Sequence, residues 1–424
     1  MVAHLKIWLK NGLAVILLCL LLAAGDAWYG VEGDQVLRYA RAKEFDYVSW
    51  TLEALWTKIA QSALGLQDYL SADQQHAVVV TYLDLVNQGS QLSSQIAAVY
   101  ADPAVSDPAG AAADLLQQQA QLNQKINFLA PLAEGVLQQQ VSSVLASAGL
   151  TLGGQPVPPV LYHITPLPMA LIVSPREVIR QDEDISVLPD LSLDAITDLE
   201  KKVETNLNVS ALVVPVGGVG IYPTMVMSTT DLNWLAQTVA HEWAHNYLTW
   251  HPLGALYYSS GQMRTINETT ASLVGTEIGA ALIERYYPER VPQPAASASS
   301  SESQTDTPAA PVFDYRAEMH TTRVEADALL AQGKIEAAET YMETRRQFFW
   351  EHGYRIRRLN QAHFAFYGAY ADTPGGAAGS DPVGGAVRSL RSSSASLAAF
   401  IQRIAWVTSY ERLTAVNQAL GITP

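Results

Sequence analysis

The chain has 424 residues, 49% of them apolar and 8% aromatic, so at roughly 150 residues per domain it holds two or three domains with buried cores and is not a disordered polymer. Only 16% are charged, and 26 Lys and Arg against 41 Asp and Glu leave a net charge of −15, which excludes a binder of nucleic-acid phosphates. The single cysteine, Cys19, excludes an intramolecular disulfide framework and a cysteine zinc cluster, so a metal site must use His, Asp or Glu.

Residues 1–25 read as a membrane address. The stretch LAVILLCLLLAA (13–24) carries no charge, with Lys6 and Lys10 before it and Asp26, Glu32 and Asp34 after it. That is the asymmetry of a signal peptide or short signal anchor. It is short against the ~20 apolar residues of a spanning helix. The expectation is a chain held at the cell membrane by this segment, its bulk extracytoplasmic, or one exported after cleavage near Ala23-Ala24-Gly25.

Residues 26–152 read as a helical region. VLRYARAKEFDYVSWTLEALWTKIAQSAL has apolar residues at helical spacing, and Gly65, Gly89 and the Pro-rich stretch 101–110 read as breaks. Two Gln-rich amphipathic segments follow, on either side of Pro131, and antiparallel hairpins are the simplest packing. This region reads as a spacer, a lid or a partner surface, or as a plain structural layer.

From GGQPVPP (153–159) the pattern becomes mixed. LIVSP (171–175), SALVVPVGG (210–218) and GIYPTMVMS (220–228) read as strands, the last two hairpinned through Gly217 to Gly220, with a helix in LSLDAITDLEKKVETNL between the first two. The lobe 153–291 is followed by a Ser/Ala/Pro-rich insertion, 292–312, that lacks the apolar content to order itself. Residues 313–424 are again helical: a long charged segment (314–350), then YRIRRLNQAHFAFYGAYAD, a loop at 373–385 and a last helix at about 386–418. The fold class is α+β, predominantly helical.

The chemistry lies in His241-Glu242-Trp243-Ala244-His245. Two His at i and i+4 share one helix face, one turn apart, so both imidazoles reach one metal. Glu242 is placed to take the proton of an attacking water. DLNWLAQTVAHEWAHNYL is a continuous amphipathic helix, with Ser228 to Asp231 offering an N-cap. A catalytic Zn2+ needs three protein ligands and an open position. His251 is one candidate, but Leu248 replaces the glycine needed for a sharp turn, and along an unbroken helix His251 lies roughly 240° from His245. Glu268, in Asn267-Glu268-Thr269-Thr270-Ala271-Ser272, is the stronger one. On its helix Ala271, Ser272, Gly275 and Gly279 form a small-residue face that permits close approach, whereas Glu277 falls about 180° away. An oxyanion donor is also needed. His363, Tyr367 and Tyr370 share a face, and Tyr367 is the candidate among them, against the alternative of a plain aromatic core stripe.

HEWAH followed by NETTASLVGTE resembles the gluzincin zinc metallopeptidases, over residues 210–285, and is similar to bacterial predicted aminopeptidases. The resemblance implies a gluzincin-like catalytic lobe with His241, His245 and Glu268 as zinc ligands and Glu242 as base. Ser272 stands where thermolysin-like members have an Asp, and GVGIYPTMVMS lacks the Glu by which zinc aminopeptidases grip the substrate amine. Two expectations follow: a zinc metallopeptidase acting on a peptide or protein substrate, exo- or endo-action open, or a membrane-tethered helical scaffold with a degenerate or structural metal site.

Overall fold

The computed structural model describes residues 33–101, 105–292, 313–369 and 382–422. The membrane address, the insertion from 293 onward, Tyr370 and most of the 373–385 loop lie outside them.

Helix α1 (Gly33–Ala40) leads through a short 3-10 turn into α2 (Tyr47–Leu64). The Asp46 carboxylate accepts the Ser49 N–H at the start of α2, and Gly65 ends it at φ 52°. Helices α3 (Ala72–Ala101) and α4 (Ala113–Ser147) form an antiparallel pair. Two expected breaks are absent. Gly89 lies inside α3, where the missing side chain admits Leu122 and Ile126 of α4. The two Gln-rich segments are one helix running through Pro131. Proline removes one N–H, and burial of Val136, Leu137, Val141 and Val144 beyond it keeps the helix in register.

Among the described residues six strands make two small sheets. Strand β1 (Tyr162–Ile164) belongs to one, while β2 (Met169–Pro175) and β3 (Glu183–Val187) form an antiparallel pair in the other. Helix α5 (Leu193–Leu207), capped by Ser192, leads to β4 (Val209–Pro215), which pairs antiparallel with β2. Leu199 and Val203 of α5 and Val36 and Leu37 of α1 cover one face of this sheet. The expected hairpin between 210–218 and 220–228 does not form. The chain leaves β4 at Pro215, and β5 (Gly218–Val219) and β6 (Thr224–Val226) belong to the first sheet, in the order β1-β6-β5. Pro215 has no N–H to extend its own ladder, and the glycines that follow turn the chain out of the sheet.

Helices α6 (Leu232–Leu248) and α7 (Gly261–Tyr286) are the central pair. The charged segment after the insertion is a hairpin, α8 (Tyr315–Ala331) and α9 (Ile335–Glu351), turned by Gly333 at φ 71° rather than one helix. Then come α10 (Gln361–Ala369), α11 (Pro382–Ser392), α12 (Leu397–Ile404) and α13 (Tyr410–Ala419). The expected last helix is thus three, because Ser396 and Ser409 each cap a new N-terminus. One apolar core joins Val79 and Leu83 of α3, Leu137 of α4, Val239 of α6, Ile278 of α7, Phe400 of α12 and Leu413 of α13. The architecture is α+β and predominantly helical.

Helix α2 is fixed to α4 by a buried ion pair. Lys58 donates to Glu134, and the other oxygen of that carboxylate accepts the Ile164 N–H at 2.8 Å and lies 3.1 Å from His163 Nδ1. Burial pushes the Glu134 carboxyl up, but Lys58 and His163 together pull it further down, to about 2. Lys58, with one such partner, is held below its usual value by burial. The folded-state pKa of Glu134 is depressed, so its contribution is complete above the ordinary value of 4.5 and is lost as pH falls toward about 2. Thermal unfolding from pH 6 down to pH 3 should show a loss on the order of 2 kcal/mol that Glu134→Gln does not show. An identical pH dependence in the variant would remove Glu134 from the account.

Candidate metal centre

Asp231 caps α6 by accepting the Trp234 N–H. Trp243 Nε1 donates to the Pro158 carbonyl at 2.8 Å, and Asn246 Nδ2 to Thr224 Oγ1 at 2.9 Å, so α6 is pinned to the segment before β1 and to β6. Its opposite face carries His241 and His245. Helix α7 crosses at close range over its glycines: a Cβ on Gly275 would lie 2.7 Å from the Gln237 carbonyl oxygen, and one on Gly279 2.9 Å from the Gln237 nitrogen. This close crossing brings Glu268 to the two imidazoles.

The three donor atoms form a compact triangle. His241 Nε2 and His245 Nε2 are 3.0 Å apart, and Glu268 Oε2 is 3.5 Å from each. Ligands about 2.0–2.1 Å from a tetrahedral zinc stand roughly 3.3 Å from one another, so one ion fits this triangle. Glu268 Oε2 is buried and has no hydrogen-bond partner among the described residues. Such an orphan is costly unless a cation completes it.

The remaining polar atoms of His241, His245 and Glu268 are engaged. His245 Nδ1 is 2.7 Å from Asn267 Oδ1, which accepts its proton and leaves Nε2 free to ligate. Ser272 Oγ is 3.5 Å from His241 Nδ1, standing beside the imidazole as the departing residue of the resemblance. The Tyr257 hydroxyl donates to Glu268 Oε1 at 2.5 Å. Burial disfavours a charged His245, yet Glu268 outweighs it and raises the imidazole to about 9, while the two imidazoles hold the Glu268 carboxyl far below its usual range. Burial raises the Glu242 carboxyl against the pull of the same imidazoles.

Asn267→Ala should cost about 10- to 100-fold in metal affinity, because His245 loses the acceptor that sets its tautomer. Titration against a chromophoric chelator measures this, and an unchanged constant would deny Asn267 that role.

The centre opens into a cleft of about 810 Å³. Glu242 lies on its floor beside β5, where a Cβ on Gly218 would fall 2.4 Å from Glu242 Oε1. Tyr367 lines the same cleft at 41% exposure, with its ring 4.6 Å from that of His363. His363 itself is buried, and burial lowers it to about 4. His251 stays away from the metal triangle, stacked on Tyr247 with Nδ1 3.0 Å from the Tyr247 carbonyl. Glu277 is held by Arg391 of α11 through two bonds of 2.6 and 2.7 Å.

Sequence reasoning missed Tyr257, which no spacing rule connects to Glu268, and gave Asn267 no separate task. It also read the glycines at 217–220 only as a turn, whereas Gly218 leaves the room Glu242 occupies. The strand expected at 220–228 is β6, which lies between β1 and β5, so the edges of this sheet are β1 and β5. No known protein family, curated protein or solved structure matches this chain.

Proposed function

We propose that this protein is a zinc-dependent metallopeptidase, tethered to or exported across the cell membrane through its N-terminal segment, with an extracytoplasmic catalytic domain. The observation that carries the reading is the His241, His245 and Glu268 triangle opening into a cleft with Glu242 beside it. A structural zinc site is closed by four protein ligands. Here the two imidazoles are 20% and 16% exposed toward the cleft, which favours a catalytic ion over a scaffold's structural one. A zinc ion so held supplies Lewis acidity and lowers the pKa of water.

The chain's own residues do the rest. Glu242 takes a proton from the attacking water and passes it to the leaving amine. Tyr367 donates to the oxyanion of the tetrahedral species. An extended peptide lies along β5. Met227 N–H donates to the Gly217 carbonyl, so ladder alternation turns the N–H and C=O of Gly218 away from β6, toward the open edge. No helix among the described residues is long and apolar enough to cross a membrane.

The test is hydrolysis of an unfolded protein substrate by the full-length chain, with zinc content measured by elemental analysis. One ion per chain, activity lost to a chelator and restored by zinc, is the expected result. Hydrolysis that persists after complete metal removal would overturn the assignment.

A further inference from the structure

Helix α2 faces four of its large apolar side chains outward. Val48, Leu52, Trp56 and Ile59 are 53%, 52%, 74% and 43% exposed. At 100° per residue they occupy an arc of roughly 80°. The one cation of this helix, Lys58, points inward at 2% exposure, bound to Glu134, and Gln61 beside it donates to the Pro131 carbonyl at 2.5 Å. A helix that answered only to its own core would bury Trp56 and leave the lysine in water. The buried ion pair fixes the opposite orientation. The one acid, Glu53, lies about 60° beyond the stripe. Leu66 and Tyr69, 50% and 84% exposed, extend the apolar surface past the helix end.

We infer that this stripe docks on a lipid bilayer surface. The occupant follows from the chain before it. Residues 13–24 are apolar and uncharged, and eight residues, 25–32, separate them from α1. Fully extended, that link spans at most about 28 Å. Helix α1 is packed on the β3-β2-β4 sheet through Val36, Leu37 and Ala40, and α2 starts after a link at 41–46. A chain seated in lipid through 13–24 therefore keeps α2 close to the same surface. Arg38 and Arg41, which have no ion pair among the described residues, lie on this path and suit lipid phosphates. A tryptophan within an apolar stripe is the composition that settles at the headgroup level. On its inner side α2 meets the site-bearing sheet: Trp50 Nε1 donates to Thr165 Oγ1, and Leu55 packs on Tyr222. Docking would therefore hold the cleft at a fixed height above the bilayer.

The test uses the full chain with Cys19→Ser, reconstituted into phosphatidylcholine and phosphatidylglycerol vesicles. An environment-sensitive fluorophore is placed on Leu52→Cys, Trp56→Cys or Glu336→Cys in turn, the last 83% exposed on α9. Positions 52 and 56 face outward, so the labels leave the core intact. Nitroxide lipids labelled near the headgroup should quench the probes at 52 and 56 and spare the probe at 336, as a helix lying roughly 5–10 Å into the interface requires. Aqueous iodide quenching 52 and 56 as strongly as 336 would show the stripe in water and overturn the inference. Shielding from iodide without quenching by the lipids would mean that protein, a second copy or residues 1–32, covers the stripe, and would overturn it equally.

Discussion

Glu242→Gln is expected to lower turnover by about 10²- to 10⁴-fold while zinc content stays at that of the parent chain. Glutamine keeps the shape of the side chain beside Gly218 but cannot accept the proton of water. The metal triangle is built from His241, His245 and Glu268 and does not use this carboxylate. Glu242 is buried, and burial raises its pKa, so a neutral amide is no worse a core neighbour and the metal-free variant should melt no lower than the parent. The measurement pairs steady-state hydrolysis with elemental zinc. Equal turnover in both proteins, with zinc bound in both, would end the assignment of Glu242 as base. A loss of zinc together with activity would instead place Glu242 in the support of the ligands.

Gly275→Val is expected to damage stability and metal binding together. The first carbon added at 275 would lie 2.7 Å from the Gln237 carbonyl oxygen and 3.1 Å from His241 Cβ. Backbone on α6 cannot yield as a flexible side chain would, so the helices must part. Overpacking of this kind costs about 1–3 kcal/mol. Because Glu268 rides on the same helix, parting also lengthens its two 3.5 Å separations from the imidazoles, and zinc affinity should fall on the order of tenfold or more. Thermal melts with and without zinc, and a competition titration, measure both. Wild-type melting and affinity would show that the crossing does not set the ligand triangle.

Much of this site was legible because helical periodicity is a local rule. His241, Glu242 and His245 belong to one turn and a half of one helix, so their common face follows from 3.6 residues per turn alone. The helix ends at Leu248, so His251 is kept from the imidazoles by extended backbone and its stacking on Tyr247 rather than by helical phase, and Gly275 and Gly279 marked where a second helix could approach. The strand pairing around 210–228 was not legible. Short apolar runs separated by glycine carry no mark of which sheet they join, and Pro215 sent β4 and β6 into different ones. Helix breaks were misjudged for a similar reason. Gly89 and Pro131 carry local penalties of about 1 and 3 kcal/mol that burial of the surrounding apolar side chains overrides, whereas Gly333 ended a helix that charge pattern alone would continue.

The amino-acid sequence by itself determined the helix that carries the two imidazoles, the carboxylate between them and the small-residue face of the helix bearing Glu268, since each depends on neighbours within a few residues. Only the tertiary structure decided that Asn267 holds His245, that Tyr257 holds Glu268, that Gly218 clears the space for Glu242, and that α2 buries its lysine and exposes its tryptophan. These depend on contacts between segments far apart in the chain, where the energy of a particular neighbour outweighs any local preference.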